Sequence, residues 1–418
     1  MKTRQHFVVP SAVLAAGLAL LGGCAGESSE TSAAAGEGET SPSARPSVPP
    51  TELKKPEPRL VLTYDGGLLT LDAQTLDVID DTQLDGFNRV NPAGDGRHVM
   101  VTAGNEFRLF DAGSWTEPHG DHSHSYSVPP GMTDTSFPSD KPGHVIHHGQ
   151  STVLFGDGDG KMQILDPEKL SDADPQPRIV EAEAPHHGAA VQLDTGELIH
   201  TVGTEEERSG VVVRDQEGRE TARNEDCPGV HGEAAAKDDV IAFGCENGIL
   251  YYSQGKFTKV DSTDEYGRIG NQAGDENSSV ILGDYKVDED AELERPERVS
   301  LTDTRTGHLK LVDLGTSYSF RSLDRGPEGE ALVLGTDGQL HVIDAESGRE
   351  ESVIPVVDKW TEPLEWQEAR PTLYVQGKNA YVSEPAKKTL HVVDLESGKV
   401  TKSKELPHAS DEITGVTG

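Results

Sequence analysis

The feature that most constrains the fold is a repeated unit of short strands. Three segments, 149–166, 329–344 and 379–394, share one pattern: a strand, a turn, and a second strand that closes on Asp. Many turns along the chain are Asx-Gly pairs such as Asp65-Gly66 and Asp337-Gly338. Such pairs are typical of tight connections between antiparallel strands, and helical periodicity is nearly absent. The chain is therefore predicted to be all-β.

The repeat also has the spacing of β-propeller blades, at roughly forty to fifty residues. The chain ends too soon for a last complete unit, while residues 59–84 supply strands that lack an inner partner. We therefore predict eight blades, closed by N-terminal strands that pair with the C-terminal strand. Seven blades is the alternative, because residues 270–314 are irregular. The innermost strands are predicted to begin near Asn88, Val145, His186, Val230, Ile269, Phe320, Arg370 and His408.

The N-terminus has the pattern of an export signal. Lys2 and Arg4 precede an apolar run over residues 7–21, which is too short and wrongly flanked for a transmembrane helix. The run ends in Leu-Gly-Gly-Cys24, which resembles the bacterial lipobox. Residues 1–23 are thus predicted to be a lipoprotein signal peptide, with lipidation at Cys24 anchoring the chain to the outer face of the cell membrane. An ordinary signal peptide with a chance cysteine is the alternative.

The remaining chain divides by composition. Residues 24–58 are rich in Ser, Gly, Ala and Pro without apolar periodicity, which predicts a disordered tether. Residues 59–418 are left for the β-propeller domain. The formal net charge of −36 argues against nucleic acid as a partner, because phosphate binding needs clustered Lys and Arg. We expect a monomer.

Two cysteines remain after the lipobox, Cys227 and Cys245. In an exported protein such a pair favours a disulfide. Thiolate metal ligands are the alternative.

Histidine is concentrated in one part of the chain: ten of the sixteen residues lie between His119 and His231. In the predicted repeat register, His148, His187 and His231 take one place in three consecutive units, each before Gly where an innermost strand should begin. Three imidazoles lining one arc of the channel would bind Zn(II) with a fourth position left open. Copper(II) or nickel would also bind such a group, and polar filling of a wet channel is the non-metal alternative.

His147 and His186 each precede one of these residues. In an extended strand neighbouring side chains point to opposite sides, so both are predicted to have only a secondary role.

A second histidine group stands in an insertion between units. His119, Asp121, His122 and His124 lie within six residues that also contain Gly and Ser, which predicts a flexible zinc-binding loop. A solvated loop without metal is the alternative.

These motifs together resemble a known family. Pro-His-Gly-Asp-His-Ser-His124, Val-Ile-His-His148, Pro-His-His-Gly188 and Cys-Pro-Gly-Val-His-Gly-Glu233, in this order, are similar to the AztD family of exported zinc chaperones. The resemblance implies a β-propeller that delivers Zn(II) to the solute-binding protein of a zinc ABC transporter. It also implies a role for the histidine loop in handing zinc over, and a disulfide for the two cysteines. The lipobox is a departure, since it implies tethering to the membrane.

Two other functions fit parts of the sequence. A metal-dependent propeller hydrolase or lactonase would need a base, for which Glu233 is the nearby carboxylate. A metal-free protein-interaction propeller is the other alternative. No acidic or basic residue is repeatedly paired with the histidines, so the prediction is a chaperone and not an enzyme.

Overall fold

The structure, a computed structural model, describes residues 48–418. It consists of strands joined by turns, with single-turn 3-10 helices at Pro167–Lys169 and Pro385–Lys387. The all-β prediction is confirmed.

The strand bounds follow, in chain order. The first group is β1 (Thr51–Leu53), β2 (Arg59–Tyr64), β3 (Gly67–Asp72), β4 (Val78–Gln83), β5 (Arg89–Pro92), β6 (His98–Ala103), β7 (Glu106–Asp111), β8 (Ser114–His119), β9 (His122–Ser127) and β10 (Gly131–Pro138). The second is β11 (Pro142–His148), β12 (Ser151–Gly156), β13 (Lys161–Leu165), β14 (Arg178–Glu181), β15 (Ala190–Gln192), β16 (Leu198–Gly203), β17 (Arg208–Arg214), β18 (Glu220–Asn224), β19 (His231–Ala236), β20 (Val240–Cys245), β21 (Asn247–Ser253), β22 (Lys256–Asp261) and β23 (Gly267–Arg268). The third is β24 (Gln272–Ala273), β25 (Val280–Asp284), β26 (Arg298–Asp303), β27 (His308–Asp313), β28 (Tyr318–Arg325), β29 (Ala331–Gly335), β30 (Gln339–Ile343), β31 (Glu350–Pro355), β32 (Leu373–Gln376), β33 (Asn379–Glu384), β34 (Thr389–Asp394), β35 (Lys399–Glu405) and β36 (Ser410–Val416).

Across residues 48–418, eight sheets contain a run of four antiparallel strands, and one of these adds β23 beside β21. The runs are β36-β2-β3-β4, β5-β6-β7-β10, β11 to β14, β15 to β18, β19 to β22, β24 to β27, β28 to β31 and β32 to β35. Many small antiparallel sheets of this kind are consistent with a β-propeller. A ninth, three-stranded sheet has the order β1-β9-β8.

The innermost strands lie close to where the repeat placed them. β19 begins at His231 and β36 at Ser410, within two residues of the predicted starts, and the first strand of every other four-stranded run begins within four. Local turn chemistry explains this agreement. Asp65-Gly66 forms the two-residue turn between β2 and β3, with Gly66 at φ +99°, a conformation that favours glycine.

The C-terminal strand pairs with the first strand of the repeat. β36 runs antiparallel to β2 in the register Arg59↔Val416 to Tyr64↔Ser410. One sheet is thus composed of strands from the two ends of the described chain.

Apolar side chains are packed between successive sheets. Strands in the middle of a sheet, such as β12 and β20, are buried along their whole length because another sheet covers each side. One cluster joins Val61 of β2 to Val99 of β6, and another joins Leu60 of β2 to Tyr381 of β33. The composite sheet therefore packs against both the sheet that follows it and the sheet that precedes it.

Two features differ from the expectation of a tether and a flexible loop. Thr51–Leu53, inside the segment predicted to be disordered, forms β1 and pairs with β9. The histidine insertion forms the β8–β9 hairpin, with His119 opposite His122.

The predicted signal peptide and Cys24 lie outside the described residues. Among residues 48–418, no helix has the length and apolar character needed to cross a membrane.

Candidate metal centres

The first candidate centre lies where three consecutive sheets begin. His144 stands near the start of β11, His187 just before β15, and His231 at the first residue of β19. One nitrogen from each ring lies within 4.8 Å of the others. The Nε2 atoms of His187 and His231 are 3.1 Å apart. We call these three residues the channel group.

Each imidazole of the channel group is oriented through its Nδ1 atom. Nδ1 of His144 donates to the carbonyl oxygen of Gly188 at 2.8 Å, and Nδ1 of His231 to that of Gly270 at 2.5 Å. Nδ1 of His187 donates to a carboxylate oxygen of Asp157 at 2.5 Å. With the proton held on Nδ1, the lone pair of each ring is on Nε2, which is the form that binds a metal ion.

Burial keeps two of these rings, His144 and His231, neutral. Burial, and then the charge that His187 can carry, lower the pKa of His144 to about 4. The pKa of His231 is well below its ordinary value, mainly through burial and then through the neighbouring His144 and His187. Two of the three rings therefore have no proton to lose at neutral pH, which favours binding of a metal ion.

A cavity of about 290 Å³ adjoins the channel group, and its lining includes His144, His231, Arg89 and Glu233. Burial raises the pKa of Glu233 to about 8, so the carboxyl group is largely protonated at neutral pH. A protonated carboxyl does not act as a base, which weakens the hydrolase alternative.

The segment that enters β19 is fixed covalently. Cys227 and Cys245 form a disulfide with a Cα–Cα distance of 4.9 Å, and both residues are fully buried. The bridge holds the chain four residues before His231 against the neighbouring strand β20. The thiolate-ligand alternative for these cysteines is excluded, and the predicted disulfide is present.

The second candidate centre is on the β8–β9 hairpin. His122 and His124 are two residues apart on β9 and share a face, and His119 lies opposite His122 on β8. One ring nitrogen of each lies within 4.8 Å of the others, and the Nε2 atoms of His122 and His124 are 3.0 Å apart. We call these three residues the hairpin group.

Carboxylates orient two rings of the hairpin group. Nδ1 of His124 donates to Glu52 of β1 at 2.7 Å, and Nδ1 of His122 to Asp121 at 3.1 Å. Asp121 was predicted to be a ligand, and the structure places it behind His122 instead of among the three converging nitrogens. Glu52 was not foreseen, because it lies 72 residues from His124 in the chain, inside the predicted tether.

His148 is not part of the channel group; His144 takes that place. The predicted register put His148 at the beginning of an innermost strand, whereas β11 starts at Pro142 and ends at His148. A bulge between Pro142 and Val145 adds to the difference between the predicted and the observed register. His148 therefore lies at the opposite end of the strand from His144.

His147 and His186, which were predicted to have a secondary role in metal binding, make hydrogen bonds outside both groups. His186 uses both ring nitrogens, with the carbonyl of Ala184 and the hydroxyl of Thr201 each at 2.8 Å. His147 approaches the carbonyl of Ser151 through Nδ1 at 3.2 Å. These contacts are what packed histidines make.

The two groups lie at opposite ends of the sheets. The hairpin leaves the sheet after β7, at the end where innermost strands finish, and Thr116 donates to the carbonyl of Gly418, beyond the end of β36. A cavity of about 1170 Å³ on this side is lined by Pro118 of the hairpin and by Gln150 in the β11–β12 turn. We call this end the back face, and the end with the channel group the front face.

Comparison with known proteins gives the following. No family model matches the chain. A curated protein named zinc chaperone AztD, from Citrobacter koseri, is 25% identical over 360 residues, which cover 82% of this chain and 83% of that protein. Two crystal structures of Citrobacter koseri AztD, one of them of the apo form, superpose with TM-scores of 0.76 and 0.75 at 23% and 22% identity. Both comparisons cover 87% of this chain and 99% of the other. The resemblance to AztD inferred from the histidine motifs is confirmed.

Proposed function

We propose that this chain, similar along most of its length to a zinc chaperone, captures Zn(II) outside the cytoplasm and passes it to the solute-binding protein of a zinc ABC transporter. The observation that carries the proposal is the convergence of one ring nitrogen from each of the three imidazoles of the channel group, each ring held by an acceptor at Nδ1. The relative's name describes a chaperone, which agrees with a role other than catalysis.

Zinc suits the donor set of both groups. Three neutral imidazoles leave a fourth tetrahedral position open, and zinc accepts that arrangement at roughly 2.0 to 2.1 Å. Copper(II) and nickel also bind donor sets of this kind, so selectivity in the cell would depend on metal supply. We assign His144, His187 and His231 as ligands in the channel and His119, His122 and His124 on the hairpin.

The two groups suit different steps. In the channel group two of the three rings are half-buried and fixed by backbone carbonyls, which suits the group to holding zinc. The hairpin group is largely exposed and is suited to meeting a partner protein. Ligand exchange would proceed by shared coordination, in which imidazoles of the hairpin leave one at a time while ligands of the partner enter. No free aqua ion need then form.

We also propose that the eight four-stranded sheets close into an eight-bladed propeller. The pairing of β36 with β2 and the apolar clusters on both sides of that sheet support this closure. Lipidation at Cys24 would keep the propeller at the outer face of the membrane, with residues beyond it providing reach to the transporter. The acidic surface argues against nucleic acid, and we propose a monomer.

Stopped-flow transfer tests the function. The zinc-loaded full chain is mixed either with the apo solute-binding protein or with a chelator. We expect transfer to the protein to be faster than release to the chelator. Replacing His119, His122 and His124 with Ser should slow transfer to the solute-binding protein until it is no faster than release to the chelator. His308→Ser, at an exposed histidine outside both groups, should leave both rates unchanged. Transfer to the partner no faster than release to the chelator in the unmodified chain would refute direct handover.

A further inference from the structure

His148 has surroundings of its own at the back face. It ends β11, and two carboxylates from other sheets approach its ring. Nε2 lies 3.6 Å from Oδ1 of Asp239, in the turn between β19 and β20, and Nδ1 lies 4.0 Å from Oε1 of Glu276, in the turn between β24 and β25. Three turns that are distant in sequence thus bring a nitrogen donor and two oxygen donors together.

The ring is buried while the carboxylates are open to solvent. The side chain of His148 is 8% exposed, against 71% for Asp239 and 74% for Glu276. Within residues 48–418, neither ring nitrogen of His148 has a partner inside hydrogen-bonding distance; both face carboxylate oxygens beyond it. At these distances the gap between each ring nitrogen and its carboxylate has room for a bridging water or a cation.

We propose that His148 and Asp239 bind a divalent cation at the back face, with Glu276 orienting the imidazole. Two ligand atoms on one tetrahedral zinc ion, at about 2.05 Å each, stand roughly 3.3 Å apart. The separation of 3.6 Å between Nε2 and Oδ1 is close to that value and too long for a good hydrogen bond. Glu276 faces the other nitrogen, as the carboxylate does in carboxylate–histidine–zinc arrangements.

The site takes zinc or another borderline divalent cation, because it combines imidazole and carboxylate donors. With two protein ligands it leaves the remaining positions to water or to an incoming donor, so it binds more weakly than either histidine group. The assignment of zinc as the cation rests on the proposed function. The geometry of the site does not.

The proposed site lies on the same face of the molecule as the hairpin group. The back face is also the side from which the β8–β9 hairpin extends. Along β11, His148 lies four positions after His144, which corresponds to about 13 Å in an extended strand. The third site therefore lies on the hairpin's side of the channel, at the opposite end of β11 from the channel group.

Equilibrium dialysis with zinc measures binding at this site once the two histidine groups have been removed. In the full chain with His119, His122 and His124 replaced by Ser, and His187 and His231 by Ala, one weak zinc should remain. His148→Gln or Asp239→Asn should weaken it at least tenfold, and Glu276→Gln roughly tenfold. Asp261→Asn, a matched loss of an exposed carboxylate on β22 of the same sheet as Asp239, should have no effect.

The unmodified chain provides a second readout that does not depend on folding of the multiple variant. The imidazole C–H resonance of His148, identified by its loss in His148→Gln, should shift only as zinc is added beyond the amount that fills the two histidine groups. An unshifted resonance at millimolar zinc, or equal affinity in Asp239→Asn and Asp261→Asn, would overturn the site. Binding here without transfer to the partner would refute the proposed function alone, and transfer without binding here would overturn this site alone.

Discussion

The two histidine groups differ in what surrounds the same ligand atoms. In both, one nitrogen of each of three imidazoles converges within 4.8 Å. In the channel group the rings of His144 and His231 are half-buried and held by backbone carbonyls, while the exposed ring of His187 is held by Asp157. In the hairpin group the rings are held only by side chains, and 55% of the His122 side chain is exposed. Under the proposed function, the shared donor set gives the metal preference, and the support behind it decides whether zinc is held or exchanged.

Removing the disulfide should produce the largest effect. Replacing Cys227 and Cys245 together by Ala should cost about 3 kcal/mol of unfolding free energy, because the unfolded chain regains the entropy of a closed loop. The channel group should also lose zinc affinity, since the segment entering His231 is freed, whereas hairpin affinity should not change. Chemical denaturation and zinc titration measure both. Equal losses of zinc affinity in the two groups would contradict the inference that only the channel group depends on the disulfide.

Asp157→Asn should give the next largest effect. The carboxylate holds Nδ1 of His187, and loss of such a partner typically weakens metal binding by roughly 10- to 100-fold. Zinc titration in a chain whose hairpin histidines are Ser measures the channel alone. The control is Asp140→Asn, an exposed carboxylate just before β11. Matching affinities in the two variants would show that Asp157 does not orient His187.

Glu52→Gln is the corresponding change at the hairpin and should have a smaller effect. The carboxylate of Glu52 is 61% exposed, and water competes for the bond to His124. We expect less than about a tenfold loss of hairpin affinity. This is measured by zinc titration in a chain carrying His187→Ala and His231→Ala. A loss as large as that of Asp157→Asn would show that the two groups are equally dependent on their supports.

The number of protons released on zinc binding should also differ between the two groups, and this is the smallest of the expected differences. At pH 5.5, three imidazoles with the ordinary pKa would release about 2.7 protons. His144, with a pKa of about 4, and His231, with a pKa well below the ordinary value, are already neutral at that pH. The channel group should therefore release no more than about one proton. Calorimetry in buffers of different ionisation enthalpy, on the chain without hairpin histidines, measures the number. Release of nearly three would contradict the neutral state of these rings.

The repeat was predictable because its signals are local. Strand, Asx-Gly turn and closing Asp lie within a single unit, so the positions of innermost strands follow from neighbouring residues. The structure brings His144, and not the predicted His148, into the channel group, since no residue in the motif marks where β11 begins and a bulge precedes Val145.

The supports of the histidines were not predictable. Asp157 lies 30 residues from His187, and Glu52 lies 72 residues from His124. Both contacts depend on which strands meet in the folded chain, and a single sequence carries no local signal for that. The ligand residue type was visible in the motifs, whereas the partners of the ligands required the fold.

The central claim is that zinc binds at two separate histidine groups on opposite faces. Zinc per chain, measured by equilibrium dialysis at a free concentration too low to fill the weak back-face site, tests it most directly. We expect two tightly bound zinc ions in the unmodified chain. One should remain when His119, His122 and His124 are Ser, one when His187 and His231 are Ala, and none when the changes are combined. Retention of both ions in either partial variant, or loss of both in one of them, would contradict the claim.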